Sequence, residues 1–283
     1  MNATNLHSGH RARWAPWLRA FAALLAGALL LAGCAARGGL GGGGSGTPDT
    51  GNPNADKNAR IRLELAEGYY QRGQPEVALS EVDQALRLAP DYVPAHTMRA
   101  LIEMSLGQDA QAEASFRSAL SLAPNNADAL HNYGWFLCNA RRFDESFKMF
   151  RRALSIPGYR DVVRTDLAFG VCQYRAGDVA GAEKTLRAGF ALDASNPALS
   201  TNLALVLYRE HRFQDALFYI RRVNAGSSAS AQSLWLGVLI ARAGASANDA
   251  ADWTRQLVQR FPDSQEAVAA QQGRFDASPL LVP

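Results

Sequence analysis

The sequence predicts an all-α fold, an α-solenoid of about six helical hairpins stacked as an α-α superhelix. Small residues recur at intervals of 33 to 36 residues from Ala66 to Gly237. Apolar residues between them follow helical spacing, and no alternating run of β-branched residues predicts a strand. The chain has 283 residues, 48% of them hydrophobic, so it can bury a continuous core.

Residues 1–33 are predicted to be a signal peptide. Three arginines and no acidic residue precede or flank an apolar stretch from Ala20 to Ala32. As a helix this stretch would rise only about 20 Å, which is short for a membrane span.

The signal peptide ends in Leu31-Ala32-Gly33-Cys34, which resembles a bacterial lipobox. That resemblance implies cleavage before Cys34, acylation of its thiol and its new amine, and anchoring to lipid. An ordinary signal peptide with an incidental cysteine is the alternative. Ala35 and Ala36 follow Cys34, and the Asp typical of inner-membrane retention at the position after the cysteine is absent, so the resemblance implies the periplasmic face of the outer membrane.

Residues 34–58 are predicted to be the lipidated cysteine and a flexible Gly-rich linker. Glycine, proline and asparagine dominate this segment. A flexible chain of this length has an end-to-end distance of roughly 27 Å.

The repeats are predicted to occupy residues 59–267, followed by a C-terminal tail at 268–283. Prolines such as Pro90 and Pro124 stop the second helices, and the sixth repeat is expected to have a longer turn, with its second helix from Ala250 to Arg260. The predicted units lie near 59–92, 93–126, 127–162, 163–196, 197–229 and 230–267.

The period and the residue types resemble the tetratricopeptide repeat (TPR) consensus over about 200 residues. Each hairpin has one apolar face that it cannot bury alone, so neighbouring hairpins must stack. The resemblance implies a protein that binds other proteins and is not an enzyme.

No arrangement of residues predicts catalysis, a metal or a cofactor. The histidines of the repeats, His96, His131 and His211, lie in different repeats at different positions. Without residues 1–33 the chain has 29 − 3 = 26 basic and 26 acidic residues, so no basic surface predicts nucleic-acid binding. A small-molecule substrate is not expected either.

Cys138 and Cys172 lie in the first helices of consecutive repeats. First helices of adjacent units pack side by side, so a Cα separation near 6 Å is within reach of a disulfide. We therefore predict a disulfide between them; two small buried thiols are the alternative.

The first helices of a TPR array line its inner groove at fixed repeat positions. Aromatic and arginine side chains at these positions predict a groove for an extended or helical peptide segment. Any single tyrosine could instead pack on a neighbouring helix. The predicted groove residues are Tyr70, Gln71, His131, Trp135, Asn139, Tyr174, Arg175, Tyr208 and Arg209.

Three motifs resemble the type IV pilus biogenesis and stability lipoproteins, the PilF/PilW family. They are Asn132–Cys138 (Asn-Tyr-Gly-Trp-Phe-Leu-Cys), Ser233–Gly237 followed by Ile240-Ala241-Arg242, and Arg260–Ser264. This resemblance implies a pilotin, a lipoprotein partner of the pilus secretin subunit, with the two cysteines bridged. A TPR lipoprotein scaffold that regulates a peptidoglycan synthesis complex is the alternative.

Overall fold

The computed structural model describes residues 47–275, and the predicted signal peptide and Cys34 lie outside them. The described residues form thirteen α-helices and no strand, which confirms the predicted all-α solenoid of six hairpins. The hairpins are α1–α2 (Pro53–Gln71, Pro75–Leu88), α3–α4 (Val93–Ser105, Asp109–Leu122), α5–α6 (Ala127–Asn139, Phe143–Leu154), α7–α8 (Val162–Arg175, Val179–Leu192), α9–α10 (Pro197–Arg209, Phe213–Asn224) and α11–α12 (Ala231–Ala243, Ala247–Arg260), and α13 (Gln265–Gln271) follows them.

Local sequence signals set the ends of these helices. The side chains of Asn52, Asn126 and Asn196 accept hydrogen bonds from backbone N–H groups that would otherwise lack partners. Each hairpin turn requires one residue in the left-handed region, and Gly107 has φ 71°. Arg141 takes the same conformation with φ 59°, so this turn does not depend on glycine.

The recurring small residues lie where the two helices of a hairpin touch. A Cβ added to Gly134 would lie 3.1 Å from the Phe150 ring, and one added to Gly170 would lie 2.5 Å from Leu186 Cγ. Phe150 and Leu186 are fully buried. A large side chain of the second helix therefore fills the space left by the missing side chain on the first helix.

The first helices of consecutive repeats contact one another, from α1 with α3 to α9 with α11. Within residues 47–275 the second helices make no comparable approach to each other. The first helices therefore form one common surface, which we call the inner face, and the second helices lie outside it.

Three predicted boundaries were wrong. Helix α1 begins at Pro53, so residues 53–58 of the predicted linker are helical. The sixth hairpin turn has the same length as the first, because α12 begins at Ala247 and not at Ala250. The predicted tail from residue 268 begins inside α13, which packs against α11 and α12.

None of the described helices combines the length and the apolar character needed to cross a bilayer.

Candidate functional site

Five of the predicted groove residues come together on the inner face, across α5, α7 and α9. Arg175 Nη1 donates a hydrogen bond to Asn139 Oδ1 at 2.9 Å, and Arg175 Cζ lies 5.9 Å from the centroid of the Trp135 ring. One repeat further, Arg209 Nε donates to the hydroxyl oxygen of Tyr174 at 3.0 Å. We call Trp135, Asn139, Tyr174, Arg175 and Arg209 the inner-face ladder.

The repeat spacing produces this ladder. Asn139, Arg175 and Arg209 occupy the last position of the first helix in three consecutive repeats. Because these helices contact one another, each arginine reaches back to the preceding repeat. Asn139 and Arg209 are exposed, and Trp135, Tyr174 and Arg175 are half-buried, so all five side chains are accessible to solvent.

The remaining predicted residues do not join the ladder. Tyr208 is half-buried, and its ring centroid lies 5.9 Å from that of Phe213. Tyr70 packs against the core of the first repeat, and Gln71 is exposed at the end of the same helix, α1. The predicted groove therefore separates into a ladder on repeats three to five and an isolated pair on repeat one.

His131 is not a groove residue, and this prediction was wrong. Its side chain is 6% exposed, and its Nδ1 lies 2.9 Å from the Thr165 hydroxyl oxygen, which in turn lies 2.8 Å from that of Tyr159. Burial, followed by the nearby charge of Arg164, lowers the pKa of His131 to about 4. His131 is thus a neutral side chain that packs the third repeat against the fourth.

A disulfide joins Cys138 and Cys172 in the structure, with their Cα atoms 5.9 Å apart. Both sulfurs belong to fully buried residues, and the Ser146 hydroxyl oxygen lies 3.3 Å from Cys172 Sγ. Cys138 directly precedes Asn139, and Cys172 lies three residues before Arg175. The covalent link and the Asn139–Arg175 hydrogen bond therefore join the same two helices.

Sequence reasoning missed a cleft at the first repeat that combines apolar side chains with the polar side chains of Asn58, Arg62, Gln84 and Arg87. Ile61, Leu65 and Leu88 are 42%, 41% and 36% exposed, and they line a cleft of about 540 Å³ between α1 and α2. Ile61 and Leu65 are one helical turn apart on a face that no earlier hairpin covers. The signal was available in the sequence as apolar spacing at the open end of the array.

A second cleft, of about 680 Å³, lies at the sixth repeat beside Arg242 and Phe275. The Phe275 ring stacks on the buried Trp235 with centroids 5.8 Å apart, and Arg242 Cζ lies 3.9 Å from the Phe275 centroid. Among residues 47–275, no three His, Cys, Asp or Glu side chains are grouped so that they could hold a metal ion.

Comparison with known proteins agrees with this architecture. Two family models described as tetratricopeptide repeat match residues 63–127 and 115–148. The type IV pilus assembly protein PilF of Pseudomonas aeruginosa is 28% identical over 210 residues, which cover 74% of this chain and 82% of PilF.

Solved structures of type IV pilus proteins also superpose on this chain. The structure of PilF from Pseudomonas aeruginosa superposes with a TM-score of 0.69 at 26% identity, over 78% of this chain and 99% of PilF. The structure of PilW, described as a widely conserved type IV pilus biogenesis factor, superposes with a TM-score of 0.70 at 31% identity, over 75% of this chain and 98% of PilW.

The stacked helical hairpins and the matching family models define a tetratricopeptide repeat protein. Within that class, the extent of the match to PilW and PilF identifies the family. The chain belongs to the TPR proteins of type IV pilus biogenesis, as its three motifs indicated.

Proposed function

We propose that this chain is an outer-membrane lipoprotein that acts as a pilotin, a scaffold for the assembly and stability of the type IV pilus secretin. The observation that carries the proposal is the inner-face ladder on a chain that covers 98% of PilW. The ladder supplies the contact surface, and the family supplies the biological context.

The ladder has the chemistry of a protein-binding surface. Trp, Tyr and Arg are the side chains that most often dominate binding energy in interfaces. Hydrogen bonds between repeats hold Arg175 and Arg209 in place before a partner arrives, which lowers the entropy lost on binding. Binding to this face would order secretin subunits without any catalytic step.

Acylation of Cys34 would place the scaffold at the membrane where the secretin ring forms. Stable anchoring requires more than one acyl chain, as the lipobox resemblance implies. In a Cys34→Ser variant we expect the protein to leave the outer-membrane fraction and the amount of secretin multimer to fall. Unchanged fractionation of Cys34→Ser would contradict lipidation.

The proposal is tested by deleting the gene and measuring the SDS-resistant secretin multimer by immunoblot. We expect the multimer to be depleted and surface pili to be lost, and the wild-type gene to restore both. Normal multimers in the deletion strain would eliminate the pilotin role.

Complementation of the deletion strain then locates the partner surface. Trp135→Ala combined with Tyr174→Ala should reduce the multimer while circular dichroism stays helical. Leu65→Glu in the first-repeat cleft is the matched comparison, because Leu65 is also an exposed apolar residue. Loss of multimer only with Leu65→Glu would move the interface to that cleft, and affinity capture of a peptidoglycan synthase without secretin would favour the alternative scaffold role.

A further inference from the structure

Three arginines repeat along the inner face of the fourth, fifth and sixth repeats. Arg175, Arg209 and Arg242 lie near the ends of α7, α9 and α11, with 34 and 33 residues between successive members. Arg209 and Arg242 are exposed and Arg175 is half-buried. The array therefore presents about one cation per repeat on the surface where the first helices contact each other.

These three arginines form no ion pair with any described carboxylate, and their contacts are to neutral groups. Arg175 donates to the Asn139 amide oxygen, and Arg209 donates to the Tyr174 hydroxyl. Arg242 lies over the Phe275 ring. Their positive charges are thus left without a carboxylate between residues 47 and 275.

Several arginines on the second-helix side of the same repeats are paired with carboxylates. Arg187 and Arg212 both contact Glu183, at 2.7 and 2.8 Å, and Arg221 contacts Asp249 at 2.6 Å. These ion pairs join or flank the second helices, outside the inner face. Several arginines of the second helices are thus neutralised by carboxylates, whereas Arg175, Arg209 and Arg242 have no described carboxylate within ion-pair distance.

The inner-face helices also lack acidic residues that could neutralise them. Helices α7, α9 and α11 contain one acidic residue, Asp166. Its side chain is 5% exposed and forms no ion pair with a described residue. The surface of these three helices is consequently positive at neutral pH.

We propose that the inner face of repeats four to six binds an extended, acidic segment of the partner protein, with carboxylates placed to meet Arg175, Arg209 and Arg242. The inference rests on the proposed protein-binding role of this face and names the chemistry of what it binds. The planar guanidinium can donate two parallel hydrogen bonds to one carboxylate, which a simple point charge cannot reproduce.

The repeat spacing sets the pattern of acidic residues. Packed helices lie about 8–10 Å apart, and an extended peptide advances about 3.3 Å per residue. Carboxylates separated by two residues would therefore meet successive arginines. A helical segment rises about 1.5 Å per residue and would need acidic residues about six or seven apart.

The direct test is binding of a fluorescent peptide to the full chain in detergent, measured by anisotropy. The probe is an unstructured peptide of about ten residues, with three glutamates each separated by two Ser or Thr residues. The control peptide has glutamine in place of each glutamate. We expect binding of the glutamate peptide that weakens with added salt, and at least tenfold weaker binding of the glutamine peptide.

Variants locate the binding. Each of Arg175→Gln, Arg209→Gln and Arg242→Gln should weaken binding about two- to fivefold, and the three together at least tenfold. Arg117→Gln is the matched control, because Arg117 is an exposed arginine on α4, a second helix, and should leave binding unchanged. Equal binding of both peptides, full binding by the triple variant, or equal binding of single-stranded DNA of the same length would overturn the inference.

The same triple variant separates this inference from the pilotin proposal. Normal secretin multimers in cells carrying the triple variant, together with depleted multimers in the deletion strain, would refute the acidic segment and leave the pilotin role standing. Normal multimers in the deletion strain would refute the pilotin role, whatever the peptide binds.

Discussion

At the scale of single residues, the spaces left by small side chains are the determinants of hairpin packing. Their positions could be predicted, because the recurrence of Ala and Gly is visible in the sequence. How closely each small residue approaches the other helix could not be predicted, since this distance depends on the side chain opposite it. A Cβ at Gly134 would lie 3.1 Å from the Phe150 ring, which is tighter than an ordinary contact, and a Cβ at Gly170 would lie only 2.5 Å from Leu186 Cγ.

Gly170→Ala should therefore destabilise the protein more than Gly134→Ala. The added methyl at residue 170 would force the buried Leu186 to move, at a cost of about 1–3 kcal/mol. Urea denaturation followed by circular dichroism measures the difference. Equal stability of Gly170→Ala and the wild type would show that the hairpin adjusts freely.

The burial of single ionisable side chains also could not be predicted from the sequence. The repeat pattern does not determine whether the side chains of His131 and Asp166 face solvent or the core. Packing against the neighbouring helices determines it. Both are buried, and burial raises the pKa of Asp166 to about 6 from an ordinary 3.8. At neutral pH the protein therefore holds an ionised carboxylate in its interior.

Asp166→Asn should stabilise the protein at pH 7. A raised pKa means that the contribution of Asp166 is fully favourable below pH 3.8 and is lost as the pH rises through 6. Removing the charge should recover about 1–3 kcal/mol at pH 7 and less as the pH falls. Denaturant midpoints at several pH values measure this, and a loss of stability at pH 7 would contradict it.

The same variant exposes the opposite contribution of His131. Its pKa is lowered from 6.5 to about 4, so its stabilising effect is complete above pH 6.5 and is lost as the pH falls toward 4. In the wild type the two groups oppose each other in this range. Asp166→Asn should therefore make stability fall more steeply with acid between these values.

At the scale of elements, the periodicity of the sequence predicted the hairpins but did not predict where each helix begins and ends. The predicted linker contained the start of α1 because Pro53-Asn54-Ala55 has a composition typical of loops. This segment is helical because the Asn52 side chain accepts hydrogen bonds from the N–H groups of Asn54 and Ala55, and because proline is favoured at the first helical position. Likewise, the positions within the repeat predicted which residues line the groove. They did not predict that the side chain of His131 is buried in the core.

The disulfide links two first helices, so its removal should act on the interface between repeats three and four. Replacing both Cys138 and Cys172 by Ser should lower stability by about 2–4 kcal/mol. It should leave the helical content of the native state unchanged, since neither cysteine ends a helix. Thermal unfolding with and without reductant measures the effect, and identical midpoints would show that the link contributes nothing.

At the scale of the whole molecule, a stack of six hairpins carries one proposed binding surface. The stack was predictable from the sequence because each hairpin needs its neighbours to bury its apolar face. The ladder was predictable in part, since equivalent positions in successive repeats recur at a known period. Its hydrogen bonds, and the lack of a carboxylate among residues 47–275 beside its arginines, emerged only from the structure.

Photo-crosslinking in living cells tests the proposed binding surface most directly. A crosslinking amino acid at position 135 probes the inner face, and one at position 218 probes the outer helices, where Phe218 is 54% exposed. We predict a covalent adduct with the secretin subunit from position 135 and none from position 218. An adduct from position 218 alone, or none from either position in cells that assemble secretin multimers, would contradict it.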